Sequence, residues 1–303
     1  MKSKMSWLLL ATVTVMVGFS SCDNNDDDGP TGPDNIAGIV ANNPSFSILN
    51  TAINRAGLGA ALSSGSLTVF APDNAAFEAS GITASTVNSL RVSNLDSILK
   101  YHVLGSSVSS GSVPVSDAVT TLLGTRLFAS RNTNGVFVNG IKVKSADVAA
   151  ANGVVHVIER VLIPPTSSIA QIVTADTSFS ILLAAVVKAG LATAVSQSGK
   201  FTVFAPTNAA FRAAGFANAA AIDAAPQATI EAVVKQHVLN TNVFASDLTE
   251  GATPTTLQAN TLTVNLNPVR VKVTGSASAS SNVTTPNVVV TNGVIHIIDR
   301  VLL

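Results

Sequence analysis

Apolar positions recur at helical spacing where the folded part of the chain begins. Ile36, Ile39 and Val40 open a stripe, Pro44 interrupts it, and Phe46, Leu49, Ile53 and Ala56 resume it as far as Gly57. Steps of three and four place such side chains on one helix face, and a glycine is where a helix stops. Residues 67–70 form a short β-rich run ending at Pro72. Asp73 and Asn74 follow where a side-chain oxygen can cap a helix, with Phe77 on its first turns. Leu95, Ile98 and Leu99 mark another helix over 94–100. Beyond Val103 the period changes. Residues 115–122, 126–130, 136–138, 141–143 and 154–158 read as strands separated by Gly, Asn or Ser turns. Helices first and a largely antiparallel sheet afterwards predict an α+β domain, a sheet core with helices packed in its N-terminal half.

The whole pattern occurs twice. TVFAPDNAAF at 68–77 returns as TVFAPTNAAF at 202–211, NGVVHVIERVL at 152–162 as NGVIHIIDRVL at 292–302, and SFSIL at 45–49 again at 178–182. Ile169, Ile172, Val173, Phe179, Leu182 and Val186 repeat the helical stripe, with Gly190 as the stop. An offset of about 133 to 140 residues is too long for a solenoid unit and suits a duplicated globular domain. Two self-sufficient modules are therefore expected, 35–163 and 168–303, joined by a linker at 164–167. In 293–299 both alternating faces are apolar except for His296, which predicts a central strand covered on both sides. Residues 141–144 and 269–273 alternate cleanly and place two cations on one face. That is either a small basic contact patch or a solvated face whose cations discourage edge pairing, and the second is the simpler reading.

These residues resemble the fasciclin-like, or FAS1, domain family. TVFAP-x-NAAF is similar to its first signature box, YHVL at 101–104 and QHVL at 236–239 to its Tyr-His motif, and the two NGV runs to its second box. Nearly all of the chain beyond the leader falls within the resemblance. It implies two tandem FAS1-like domains, each a compact wedge-like sheet packed with helices. It also implies a role in cell adhesion or extracellular attachment. In animal members the Tyr-His region is implicated in integrin binding, which would carry over to Tyr101, His102 and His237 as possible partner-binding residues. Gln236 stands where the motif has tyrosine, and a bacterial surface protein need not meet an integrin. The expected partner is therefore a surface or matrix protein or a glycan of unstated identity.

The first 21 residues read as a signal peptide: Lys2 and Lys4, an apolar stretch over 7–19, then Ser20 and Ser21. Cys22, the one cysteine, follows. It is either a chance thiol or the lipidated cysteine of a bacterial lipoprotein box, and the second is favoured. Phe19 stands where the commonest box has leucine, a looseness familiar in Bacteroidetes-like lipoproteins. Residues 22–34 form an acidic tether with four aspartates over 23–33 and nothing apolar there to pack. The run lacks the spaced ligands of a calcium loop. It resembles a surface-export signal; the alternative is a plain spacer in the periplasm. The expected location is the bacterial cell envelope, as an outer-membrane lipoprotein facing outward or into the periplasm.

Composition narrows the chemistry. Loss of Lys2 and Lys4 with the leader leaves 15 of the 17 basic residues against 17 acidic ones, so no charge excess draws the chain to nucleic acid or an anionic surface. The leader also takes the single tryptophan, and Tyr101 is the single tyrosine, so stacking platforms for sugars or bases are scarce. Four histidines remain, His102, His156, His237 and His296. Two per module, with no cysteine or clustered carboxylate at ligand spacing, predict satisfied core imidazoles, no metal and no cofactor. No GxSxG elbow occurs, and Asp73 is Thr207 in the second copy. Asn74 and Asn208 read as caps or histidine partners. Glu159 and Asp299 correspond, each followed by arginine, which suggests an ion pair or a solvated strand end. No enzyme is expected. The expected function is lipid-anchored adhesion or matrix binding through two modules that gain by effective concentration. The alternative is a glycan- or small-molecule-binding lipoprotein in nutrient capture.

Overall fold

The structure, a computed structural model, describes residues 33–113, 116–197 and 199–303. Residues 1–32, with the expected leader, Cys22 and nearly all of the expected tether, lie outside the described residues. In the first module α1 (Ile36–Asn42), α2 (Ser47–Ala56) and α3 (Gly59–Leu62) lead into β1 (Leu67–Pro72). Asn35 caps α1 by accepting from the Gly38 amide. α4 (Asn74–Ala79), α5 (Ala84–Ser89) and α6 (Val92–Tyr101) then precede β2 (Val103–Leu104). Five strands complete the module: β3 (Ser116–Thr120), β4 (Arg126–Asn132), β5 (Gly135–Val138), β6 (Ile141–Ala150) and β7 (Gly153–Ile158).

The sheet order is β2-β1-β7-β6-β5-β4-β3. β1 runs parallel to β7 and every other pair is antiparallel, so the sheet is mixed at its seam. β1 is buried along its whole length. Its two-residue period sends Leu67, Val69 and Ala71 into a core with Ile36, Leu49, Ile53 and Leu99 of the helices, and Phe70 into a second core with Tyr101, Leu127, Val138 and Ile158. Each module thus has two apolar cores, one on either side of its parallel strand pair.

The second module repeats the plan with α7 (Ile169–Ala175), α8 (Ser180–Lys188), α9 (Ala192–Ser196), β8 (Phe201–Pro206), α10 (Asn208–Ala213), α11 (Ala219–Ala224), α12 (Gln227–Gln236) and β9 (Val238–Leu239). The strands β10 (Leu262–Leu266), β11 (Val269–Val273), β12 (Ser281–Val290) and β13 (Gly293–Ile298) close it. The order is β10-β11-β12-β13-β8-β9. β13 lies between β12 and β8, as its double apolar alternation predicts. A counterpart of β3 is reduced to one bridge, Thr255 to Thr261. After the linker, Ser168 caps α7 in a reciprocal capping box with Gln171.

Two departures from the sequence pattern matter. The strand expected over 141–143 runs on to Ala150, because register shifts between Val143 and Val148 absorb extra residues against β7. Asp147 there has φ 59, and Asn287 has φ 60 in the equivalent bulge of β12. The modules are also not separate bodies: Pro33–Leu303 forms one compact unit. Phe128 of β4 packs against Phe244 at 5.9 Å between ring centroids, over Val294 and flanked by Ala118 and Val289. Asn132 Nδ2 donates to the Ser246 carbonyl at 2.7 Å and Ser130 Oγ to Asp247. Lys200 meets Asp117 at 2.9 Å, but both are exposed and add little. Each module has its own cores and shares a fifth apolar cluster with its neighbour.

Candidate functional site

The Tyr-His segment sits on the last turn of α6. Tyr101 is 0% exposed. Its hydroxyl donates to the Arg126 carbonyl at 3.0 Å and accepts from Asn139 Nδ2 at 2.8 Å, while Asn139 Oδ1 accepts from the Phe128 amide. Burial pushes the phenol up to about 12 against the lowering by Asn139. His102 is 2% exposed. Its Nε2 accepts from the Leu162 amide at 2.9 Å, so the proton sits on Nδ1 and is donated to the Ile98 carbonyl at 2.8 Å. Burial lowers its pKa to about 4, against the Ile98 bond. His237 repeats this between the Val233 carbonyl (2.7 Å) and the Leu302 amide (2.9 Å), also at about 4. The neutral ring ties the helix end to the segment after the last strand.

These three expected partner-binding side chains therefore lie inside the modules. Beside each segment, however, one leucine faces outward. The Leu122 amide donates to the Val103 carbonyl and the Leu257 amide to Val238, both at 2.8 Å. Their side chains are 46% and 43% exposed. Sequence reasoning missed the pair; the signal was TTL at 120–122 and again at 255–257. Gln236, in place of the motif tyrosine, accepts from Asn260 Nδ2 at 2.6 Å, so an amide pair stands in for the phenol. Its own Nε2 is buried without a partner.

The other histidines hold the strand bulges. His156 Nε2 donates to the Val108 carbonyl at 2.9 Å and its Nδ1 accepts from the Asp147 amide at 3.1 Å; His296 does the same with Val243 (2.8 Å) and Asn287 (3.3 Å). Each ring stacks on a phenylalanine, Phe70 at 5.6 Å and Phe204 at 5.4 Å. With both nitrogens of all four rings engaged by backbone, none is placed to trade protons with a bound molecule. Among the described residues no group of three or more His, Cys, Asp or Glu could hold a metal ion.

Asp73 caps α4 as expected, accepting from the Ala76 amide. Asn74 does not cap its own helix. It accepts from the Ile48 amide at 3.1 Å and donates to the Pro44 carbonyl, capping α2 from outside; Asn208 treats Ile181 and Thr177 alike. Of the two readings of Glu159–Arg160 and Asp299–Arg300, no ion pair forms among the described residues, and the exposure of Glu159, Arg160 and Arg300 fits the solvated strand end. Arg160 instead donates to the Ala79 carbonyl, and Asp299 accepts from the Asn282 amide and side chain. Lys144 pairs with Asp73 at 2.6 Å, which neutralises one of the two cations on that face of β6. Where the modules meet, a groove of about 900 Å³ is lined by Asn139, Lys142, Arg160, Pro165 and Asn287, among others.

A family model described as the fasciclin domain matches residues 44–164 and 177–303. The "Transforming growth factor-beta-induced protein ig-h3" of Oryctolagus cuniculus is 33% identical over 79% of this chain and 35% of its own length. The chain thus spans about a third of the first curated relatives it matches. "Cell surface glycolipoprotein MPB83" of Mycobacterium bovis is 32% identical over 48% of this chain and 70% of its own. A solved FAS1 domain pair from the insect cell adhesion molecule fasciclin I aligns over 84% of this chain and 95% of its own at 21% identity, with a TM-score of 0.42.

Proposed function

We propose that this chain, which belongs to the fasciclin domain family and carries its domain twice, is a lipid-anchored envelope protein that attaches the cell to an outside protein or glycan. The observation that carries the reading is the repeated exposed leucine beside each Tyr-His segment. Leu122 and Leu257 occupy the same place in both modules, and we read an apolar side chain left half-exposed at that place twice as part of a contact face. The shared apolar cluster holds the two faces on one body, so a partner with repeated epitopes meets both with little further loss of freedom. The buried, backbone-bonded histidines favour attachment over catalysis. One relative is by its name a cell-surface glycolipoprotein, which supports an envelope location and, with the Cys22 box, the lipid anchor.

The test displays the protein on cells over a panel of immobilised matrix proteins and glycans. Wild-type cells are expected to be retained on at least one surface, and Leu122→Asp with Leu257→Asp to lower retention at least tenfold while the fold, read by circular dichroism, persists. Retention unchanged by the double substitution, or full protection of the protein from protease on intact cells, would remove the reading. Cys22→Ala is expected to shift the protein from the membrane fraction to the soluble fraction, and continued membrane retention would show the anchor to be elsewhere. The junction groove favours a second reading, glycan capture, because its volume falls in the range of ligand sites. Binding of a soluble glycan that Lys142→Ala abolishes would support it.

A further inference from the structure

Beneath α7, α8 and α9 the second module holds a cavity of about 210 Å³, whereas the matching place in the first module holds about 50 Å³. Seven corresponding positions line both, while α7 lines the space only in the second module. Three of them are each one methylene shorter in the second module: Val186 for Ile53, Val195 for Leu62 and Val234 for Leu99. Close-packed interiors do not leave such a space by default. Nor is the cavity built for water. Its three polar side chains are already committed: Thr174 Oγ1 donates to the Ala170 carbonyl, Ser196 Oγ to the Ala192 carbonyl, and both His237 nitrogens are bonded to backbone. A buried water needs two to four polar partners, and an engineered apolar cavity of about 150 Å³ stays dry and takes up benzene.

The surface above it has changed in the same sense. On α8, Leu183, Ala184 and Val187 stand where α2 has Asn50, Thr51 and Asn54; Leu183 lines the cavity itself, and Val187 is 61% exposed. Thr174, Ala192 and Ser196 line the cavity and are themselves exposed, so the space opens to solvent beside this apolar helix. From the missing methylenes, the absence of free polar partners and the apolar approach, we infer that the second module binds the end of an alkyl chain between α7, α8 and α9, and that the first module does not. The ligand enters by its apolar end and leaves any polar group at the mouth, beside the Thr174 and Ser196 hydroxyls. Leu257 does not line the cavity but borders it, its amide bonded to the carbonyl of Val238, which does, so Leu257→Asp tests the attachment face and the filled variant tests this site.

Methyl-resolved NMR of the whole protein titrated with 1-octanol tests the inference. Saturable shifts are expected at Val186, Val195 and Val234 and at none of Ile53, Leu62 and Leu99. Val186→Ile with Val195→Leu and Val234→Leu should weaken binding at least tenfold. If that filled variant fails to fold, the reverse change decides: Ile53→Val with Leu62→Val and Leu99→Val should create saturable 1-octanol shifts in the first module. Absence of saturation at the second module's valines, or equal affinity in both modules, overturns the inference. Flotation of the Cys22→Ala protein with phosphatidylcholine vesicles separates two sources of the chain. Flotation abolished by the filled variant assigns a membrane lipid, and saturable 1-octanol binding without flotation assigns a free alkyl molecule; each supports the site.

Discussion

Gly153→Ala is expected to unfold the first module, and Gly293→Ala the second. A Cβ at Gly153 would lie 1.9 Å from the Leu67 carbonyl oxygen, and one at Gly293 would lie 2.0 Å from that of Phe201. Both glycines start the strand that pairs in parallel with β1 or β8, in direct register with the residue they would strike. The obstacle is backbone, so no side-chain rotation relieves it. Relief requires β1 to leave β7 at the seam between the two cores, and φ of +148 at Gly153 disfavours alanine even without the collision. A loss of about 4 kcal/mol or more per site follows, the range reserved for a broken core element. Gly57→Ala is the control. Its Cβ would meet nothing within 4 Å, so only the left-handed φ of +70 is penalised, at about 1–2 kcal/mol. Urea unfolding followed by circular dichroism reads both. A midpoint for Gly153→Ala equal to that of Gly57→Ala would show the close approach to be relieved elsewhere.

Acidification from pH 6.5 to 4 is expected to destabilise the protein by on the order of 3 kcal/mol for each of His102 and His237. Burial holds both near 4 in the fold, whereas a histidine in water titrates near 6.5. Above pH 6.5 the rings are neutral folded or unfolded and contribute no slope. Between 6.5 and 4 the unfolded chain takes up protons the folded chain refuses, so stability falls as pH falls. Below about 4 both states are charged and the slope ends. His296 is lowered by burial as well and adds in the same direction. Carboxylates enter later. Asp147, held low by the Ser110 side chain, and Asp176, held low by Ser178, lose their stabilisation only below the ordinary aspartate value of 3.8. Unfolding free energies at pH 7, 5.5 and 4.5 separate the windows. His102→Gln with His237→Gln should be weaker at pH 7 and lose most of the slope from 6.5 to 4, with His296 supplying what remains. An unchanged slope in that variant would assign the acid sensitivity to other groups.

The parts legible in the sequence were those whose side chains report a period. The stripe from Ile36 to Ala56 and the double alternation of 293–298 each predicted the element found. α5 and α11 escaped because each buries a single residue, Val87 or Ile222, which sets no period. The bulges of β6 and β12 were hidden for the opposite reason, since Asp147 and Asn287 look like ordinary polar alternation while their backbones turn left-handed. At the site, the motif was easy to find and its exposure was not. Tyr101 and His102 carry polar atoms, which suggests a surface, but their partners at Arg126, Asn139 and Leu162 lie 25 to 60 residues away and only the fold brings them close. Phe128 and Phe244 were unreadable as a junction because a ring shared between modules has the same composition as a ring in a core.

The way each module latches its beginning to its final hairpin bears on how it would respond to traction. The Ala151 amide donates to the Asp34 carbonyl at 3.0 Å and the Ile36 amide to Asn152 Oδ1 at 2.8 Å; Thr291 with Ser167 and Ile169 with Asn292 repeat the arrangement. A pull arriving at Pro33 would pass across these clasps into β7, continue through the linker, and reach β13 by the same route. The helices, with the alkyl site among them, would hang beside that line of tension and remain slack.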